Sequence, residues 1–171
     1  MPTIGITAAP YTKLYPGIST TISSTVSPNA ATYQWYKNGV IIPGATGSTI
    51  DVDVDGMGDY SVAVTDVNGC SNTSGSLTIS EAANDFLFIY PSPNTGQFQV
   101  RYYNLAGNSV NPRTLTIYDS KGARVYSRTY SITLPYSRMD VNMSNLSKGI
   151  YRVELGDANG KRIKTGSVII L

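Results

Sequence analysis

Apolar and polar residues alternate along this chain in short runs, and each run is closed by Gly, Pro, Asn or Asp. No window carries the 3.6-residue period of an amphipathic helix. In the first half the runs fall near 18–26, 32–37, 48–54, 59–66 and 73–80, separated by Ser27-Pro28-Asn29, Asn38-Gly39, Pro43-Gly44 and Asn68-Gly69. Asn38-Gly39 predicts a two-residue hairpin, because both central residues of that turn need positive φ. In the second half the runs fall near 86–90, 97–103, 113–119, 123–130, 138–143, 149–156 and 162–170. The small, polar stretch Ser80-Glu81-Ala82-Ala83-Asn84-Asp85 breaks the rhythm between them. The pattern predicts an all-β chain of two consecutive antiparallel β-sandwich domains. The first is immunoglobulin-like over 1–80, a linker covers 81–85, and a roughly seven-stranded, Greek-key-like sandwich covers 86–171.

Composition agrees and narrows the chemistry. Thirteen tyrosines against three phenylalanines, with frequent Val, Ile, Thr and Ser, suit pleated sheets. Histidine is absent, which removes the commonest general base, the commonest metal ligand and every Ser-His-Asp arrangement. The single cysteine, Cys70, can form neither an internal disulfide nor a cysteine zinc cage. No cofactor is expected. Pairs such as Asp119 with Asp140, or Asp157 with Glu154, could serve as acid and base, but they sit in turns or on strand faces. The expectation is therefore no enzyme.

Charge divides the chain where the pattern does. Residues 1–84 hold two bases against six acids, and residues 85–171 hold eleven bases against five, giving −4 and +6. The bases are scattered along strands, and only Lys161-Arg162-Ile163-Lys164 is clustered, so nucleic acid is not the expected partner. No apolar run approaches the roughly 18–20 residues of a membrane span. Met1-Pro2-Thr3-Ile4-Gly5 has neither the basic nor the apolar region of a secretory signal, which fits a cytosolic protein or a piece of a longer exported one.

In the first half, Thr32-Tyr33-Gln34-Trp35-Tyr36-Lys37-Asn38-Gly39 places the single tryptophan on a central strand. Gly58-Asp59-Tyr60 opens a later one. Trp35 is expected to fill the space between sheets, and the Tyr60 hydroxyl to tie the strand's corner to backbone. Asp51, Asp53 and Asp55 match the opening of a calcium loop, but Val62 stands where the bidentate Glu is required. The alternative is a strand whose acids face water. Tyr33, Trp35 and Tyr36 also raise a sugar-stacking surface.

Residues 10–80 resemble the Ig-like modules of large Bacteroidetes surface proteins, through the Tyr-Gln-Trp-Tyr-Lys-Asn-Gly run, the Gly-Asp-Tyr corner and the Val-Asn-Gly-Cys turn. The resemblance implies that relatives pair the late cysteine with one in a Cys-Pro-Gly motif. Tyr15-Pro16-Gly17 stands there instead, which leaves Cys70 an orphan.

The second half opens with Asp85-Phe86-Leu87-Phe88-Ile89-Tyr90-Pro91-Ser92-Pro93-Asn94-Thr95-Gly96-Gln97-Phe98 and continues through Thr116-Ile117-Tyr118-Asp119-Ser120-Lys121-Gly122 and Leu146-Ser147-Lys148-Gly149-Ile150-Tyr151. It closes on Lys161-Arg162-Ile163-Lys164-Thr165-Gly166-Ser167-Val168-Ile169-Ile170-Leu171. In this order the motifs resemble the type A C-terminal sorting domain of the type IX secretion system, with Ser92 where members usually carry Asn. The resemblance implies an exported protein at the cell surface or in the medium. An outer-membrane translocon reads the domain, and Gly149, Tyr151, Lys161, Arg162, Lys164 and Val168 are the expected recognition residues. It further implies a surface sortase cutting near Ser80–Asp85 and coupling the new end to an anionic lipopolysaccharide. Pro91, Pro93 and Gly96 are expected to be structural. The last strand, if it lies at a sheet edge, offers unpaired backbone groups to a partner strand. The alternative function is a surface adhesin or carbohydrate-binding fragment, with the Ig-like module as its binding element.

Overall fold

The computed structural model describes residues 1–27, 29–104 and 111–171; Pro28 of the expected turn lies outside them. Among the described residues there are strands and no helix. The chain divides into two compact units, Met1–Ala82 and Ala83–Leu171.

The first unit contains β1 (Thr3–Ala9), β2 (Lys13–Leu14), β3 (Thr20–Ser27), β4 (Ala30–Lys37), β5 (Val40–Ile41), β6 (Thr49–Val52), β7 (Gly58–Asp66), β8 (Ser71–Thr73) and β9 (Leu77–Glu81). One sheet is β1-β3-β6. The other is β2-β9-β7-β4-β5, with β8 also paired to β7. Strict alternation on β7 turns Tyr60, Val62 and Val64 inward, where they meet Ile22 and Val52 of the facing sheet. Trp35 sits among them with no exposed surface, and its indole N–H donates to the Gly47 carbonyl at 2.9 Å. The Asn38-Gly39 hairpin joins β4 to β5 with φ of 52° and 76°, as that turn demands.

Three strands of this unit go beyond the sequence expectation. β1 was hidden because Gly5, Ala8 and Ala9 carry little strand preference; its seven-residue ladder with β3, from Thr3↔Ser27 to Ala9↔Thr21, supplies what its side chains lack. β2 and β5 are two residues long, too short for any periodicity to register. The run expected at 73–80 is interrupted. Ser74 exchanges two hydrogen bonds with Val62, its amide to the carbonyl and its hydroxyl from the amide, and so separates β8 from β9. The run at 48–54 stops at Val52, because the Asp53 carboxylate accepts the amides of Asp55 and Gly56 and turns the chain.

The second unit contains β10 (Phe88–Tyr90), β11 (Gln97–Arg101), β12 (Asn111–Tyr118), β13 (Arg124–Ile132), β14 (Met139–Asn142), β15 (Gly149–Gly156) and β16 (Arg162–Ile170). A three-stranded sheet, β10-β11-β14, accompanies a four-stranded one, β13-β12-β15-β16. Their facing sides share one core, in which Phe98, Val100 and Val141 meet Leu115, Val153 and Val168. Both units are therefore antiparallel β-sandwiches.

The two units close in the same way. In each, a proline follows the first strand and cannot donate to its ladder, so the pairing ends there. The chain then runs on beside the last strand in parallel. In the first unit β2 pairs with β9 through Lys13↔Ser80 and Leu14↔Glu81. In the second unit Asn94 bridges Ile170. Every other strand pairing among the described residues is antiparallel.

Replacing Trp35 by Ala removes the largest side chain of the first core and orphans the Gly47 carbonyl. Urea unfolding followed by circular dichroism is expected to show a loss of about 3–5 kcal/mol in that unit's stability.

Candidate functional site

The residues singled out in the second half gather around β16. Along one side this strand pairs with β15, from Gly149↔Ile170 to Gly156↔Arg162. It is the last strand of its sheet, so its other side is an edge. The end of that edge is covered by the turn after β10. The Asn94 amide donates to the Ile169 carbonyl at 3.0 Å, and the Leu171 amide donates to the Asn94 carbonyl at 2.8 Å. The Ile169 amide donates to the Ser92 hydroxyl at 3.2 Å.

Asn94 is itself only 8% exposed, and both ends of its side chain are hydrogen-bonded. Its amide nitrogen donates to the Pro91 carbonyl at 2.9 Å, and its Oδ1 accepts the Gly96 amide at 2.6 Å. Gly96 has φ of 95°, and a Cβ there would lie 2.6 Å from the Ser144 backbone. No other residue fits that position. Pro91, Pro93 and Gly96 thus shape a turn whose purpose in the fold is to seat Asn94 against the end of β16.

Tyr151 faces the core, and Gly149 before it is partly exposed. Tyr151 is buried, and its hydroxyl donates to the Ser147 carbonyl at 2.6 Å, four residues back. Tyr60 does the same in the first unit, donating to the Gly56 carbonyl at 2.5 Å. Gly58-Asp59-Tyr60 and Gly149-Ile150-Tyr151 are one device used twice, a tyrosine that pins the loop leading into its own strand. Val168 is fully buried in the core.

The cations divide. Lys161 and Arg162 are exposed at the start of β16. Lys164 is ion-paired with Asp85, which also accepts a hydrogen bond from the Tyr102 hydroxyl at 2.7 Å. The Lys164 hydrogen bond first, and the Tyr102 one second, hold the Asp85 carboxyl below the usual carboxylate range. The site is therefore a strand edge, clamped at its end and cationic at its start.

Residues 88–170 match the family described as a secretion system C-terminal sorting domain. The second unit belongs to that family. It is a type IX sorting domain, and it marks the chain for export to the cell surface or the external medium. The match spans both the clamp turn and all of β16.

Among curated proteins, none matches the chain. Solved structures similar to it include the human OSCAR ligand-binding domain, at 17% identity and a TM-score of 0.38, with 99% of this chain and 97% of that one covered. The fibronectin(III)-like modules of Clostridium thermocellum CbhA are similar at 13% identity and a TM-score of 0.36, covering 100% and 93%.

The six residues of the expected sortase region are not equivalent. Ser80 and Glu81 belong to β9, and the Ala82 amide donates to the Leu14 carbonyl at 2.7 Å, so these three are held in the first unit's ladder. Asp85 is tied to the sorting domain by Lys164 and Tyr102. Ala83 and Asn84 lie between these attachments, outside any strand.

Asp51, Asp53 and Asp55 follow a strand and turn. Thr21 donates to Asp51 at 2.5 Å, and Asp53 shapes the turn whose Gly56 carbonyl receives Tyr60. Burial first, and the Asp53 charge second, push the Tyr60 phenol up. Among the described residues, no three acids, cysteines or histidines are grouped to hold a metal ion. Asp119 and Asp157 cap their own turns through the amides of Lys121 and Ala123, and of Asn159 and Lys161. Asp140 pairs with Arg138 at 2.7 Å.

Cys70 is exposed. Its turn is built on the buried Asp66, whose carboxylate accepts the amides of Asn68 and Cys70. Asn94 and Asp66 were not distinguished in the sequence; an Asn or Asp two residues before a glycine or a turn was the signal available for both.

Tyr151→Phe is expected to lower the sorting domain's stability by about 1 kcal/mol in denaturant unfolding, the net worth of one buried hydrogen bond. Asp85 is expected to titrate below the usual carboxylate range in carboxyl-carbon NMR. Its depressed value means that the Lys164 contact stabilises the domain above the ordinary carboxylate pKa and is lost as pH falls through the folded one.

Proposed function

We propose that the chain is the C-terminal portion of an exported bacterial protein, with its second unit the address read by the type IX outer-membrane translocon and its Ig-like unit a spacer. The observation that carries the address is the set of sorting motifs folded around one strand end. The turn Pro91–Gly96 clamps it, and the β15 motif opens directly beside it, with Gly149 opposite Ile170. The spacer assignment is supported by Trp35, whose ring is spent wholly on the core. Tyr33 also packs against that core. A sugar-stacking row on this sheet has lost its central member, which weighs against the carbohydrate-binding alternative.

The proposal extends to the sortase and to the lipopolysaccharide. Ala83–Asn84 is the stretch at which cleavage leaves both ladders whole. Cutting there separates the spacer, with β9 still paired to β2, from a sorting domain that keeps its Asp85–Lys164 contact. The new end then receives the anionic lipopolysaccharide. The carboxylates considered as acid and base hold turns or pair with Arg138, and the chain is read as non-catalytic.

The test is a transplant. A reporter with a signal peptide, fused to residues 83–171, is expressed in a type IX-competent bacterium and in its translocon mutant. Surface or medium localisation in the competent strain alone is the expected result. Periplasmic retention in both strains rejects the address. A glycan-binding assay on residues 1–82 tests the alternative, and saturable binding there would replace the spacer reading.

A further inference from the structure

Backbone groups on a strand alternate between its two sides, with the N–H and C=O of one residue pointing the same way. On β16 the clamp fixes the phase. Ile169 and Leu171 direct their bonds outward, to Ser92 and Asn94. Ser167 and Thr165 therefore also point outward, away from β15. The clamp does not reach them, and both side chains are exposed. Among the described residues no strand pairs with this side of β16, so the clamp leaves a short window on the edge.

The surroundings of this window define what would fill it. At its start lie the exposed Lys161 and Arg162. At its end, on the solvent face, Ile169 stands opposite Ile150 as an apolar pair, 38% and 63% exposed. Gly166 lies between the two window residues, and the side chains of Ile89 and Leu87 come up to it from the inner side, where a side chain would otherwise stand. The domain carries eleven bases against five acids over 85–171. A second copy is repelled by that charge, and an acidic partner is drawn to it.

We propose that the edge of β16 at Thr165 and Ser167 is a strand-addition site for an extended, acidic strand of the secretion machinery. Its backbone pairs with these two residues, an acid lies near Lys161 and Arg162, and an apolar side chain covers Ile169. This rests on the sorting reading above. Asn94 and Ser92 set its limits: by sealing Ile169 and Leu171 they fix where the added strand ends and therefore its register. Lys164, committed to Asp85, holds the segment before β10 in place and does not meet the partner.

The test uses the full chain behind a signal peptide and reporter. Ser167→Pro deletes one outward N–H and leaves the β15 ladder intact, and the preceding Gly166 tolerates the proline. Ser167→Ala changes only the side chain. The expected result is a melting temperature within a few degrees of the parent for both. Surface reporter should fall about tenfold or more in the proline variant alone.

Should the proline variant fail to fold, a photo-crosslinking benzoylphenylalanine at Thr165 is compared with one at Thr129 on β13. Cross-linking to a translocon component from Thr165 alone supports the proposal. Equal cross-linking from both positions, or cross-linking of Thr165 to a second copy of the chain, overturns it. A parent chain that is not exported means that the sorting reading itself has failed. An exported parent with a folded, equally exported Ser167→Pro variant overturns strand addition and leaves sorting intact.

Discussion

The closure of each sandwich at its last strand is the constraint on which the rest of this structure depends. An antiparallel sandwich made by one chain leaves its final strand with a bare side, and that side is the weakest point of the sheet. Here the first strand is broken at a proline, and the following residues are laid parallel to the last strand. The first unit does this with β2 against β9. The sorting domain does it with a single residue, Asn94, aided by Ser92. A full strand would have hidden the whole side of β16. One residue secures the end of the chain and leaves the middle of the strand's side uncovered by the clamp.

The same economy governs the tyrosines. Tyr60 and Tyr151 stand two residues into strands that begin with glycine, and each returns its hydroxyl to a carbonyl four residues back. The motif around Gly149 and Tyr151 is therefore a folding motif. It also opens β15, the ladder against which β16 is aligned.

Much of the architecture was legible in the sequence, because period-2 alternation is a direct record of a two-sided strand. The seven strands of the second unit, the Asn38-Gly39 hairpin and the inward Trp35 all follow from local pattern. What escaped depends on partners distant in the chain. β1 exists because β3 offers it a ladder, and β2 because β9 does; neither has side chains that announce a strand. The site was legible as a set of motifs but not as a division of labour. Composition could not tell that Lys164 is occupied by Asp85 while Lys161 and Arg162 are exposed. Nor could it tell that Asn94, one polar residue in a turn full of them, is the one that reaches Leu171. The expected cut region likewise read as a uniform polar stretch. It is in fact a ladder end and a side-chain anchor, Asp85, with Ala83 and Asn84 between them.

The exposed Cys70 has a use that its lack of an intramolecular partner creates. It is the one thiol in the sequence and lies in the first unit, on a turn held by Asp66. A maleimide dye therefore marks that unit at a single known position, without any substitution. Followed on living cells, the label would report where the first unit resides after the sorting domain has done its work.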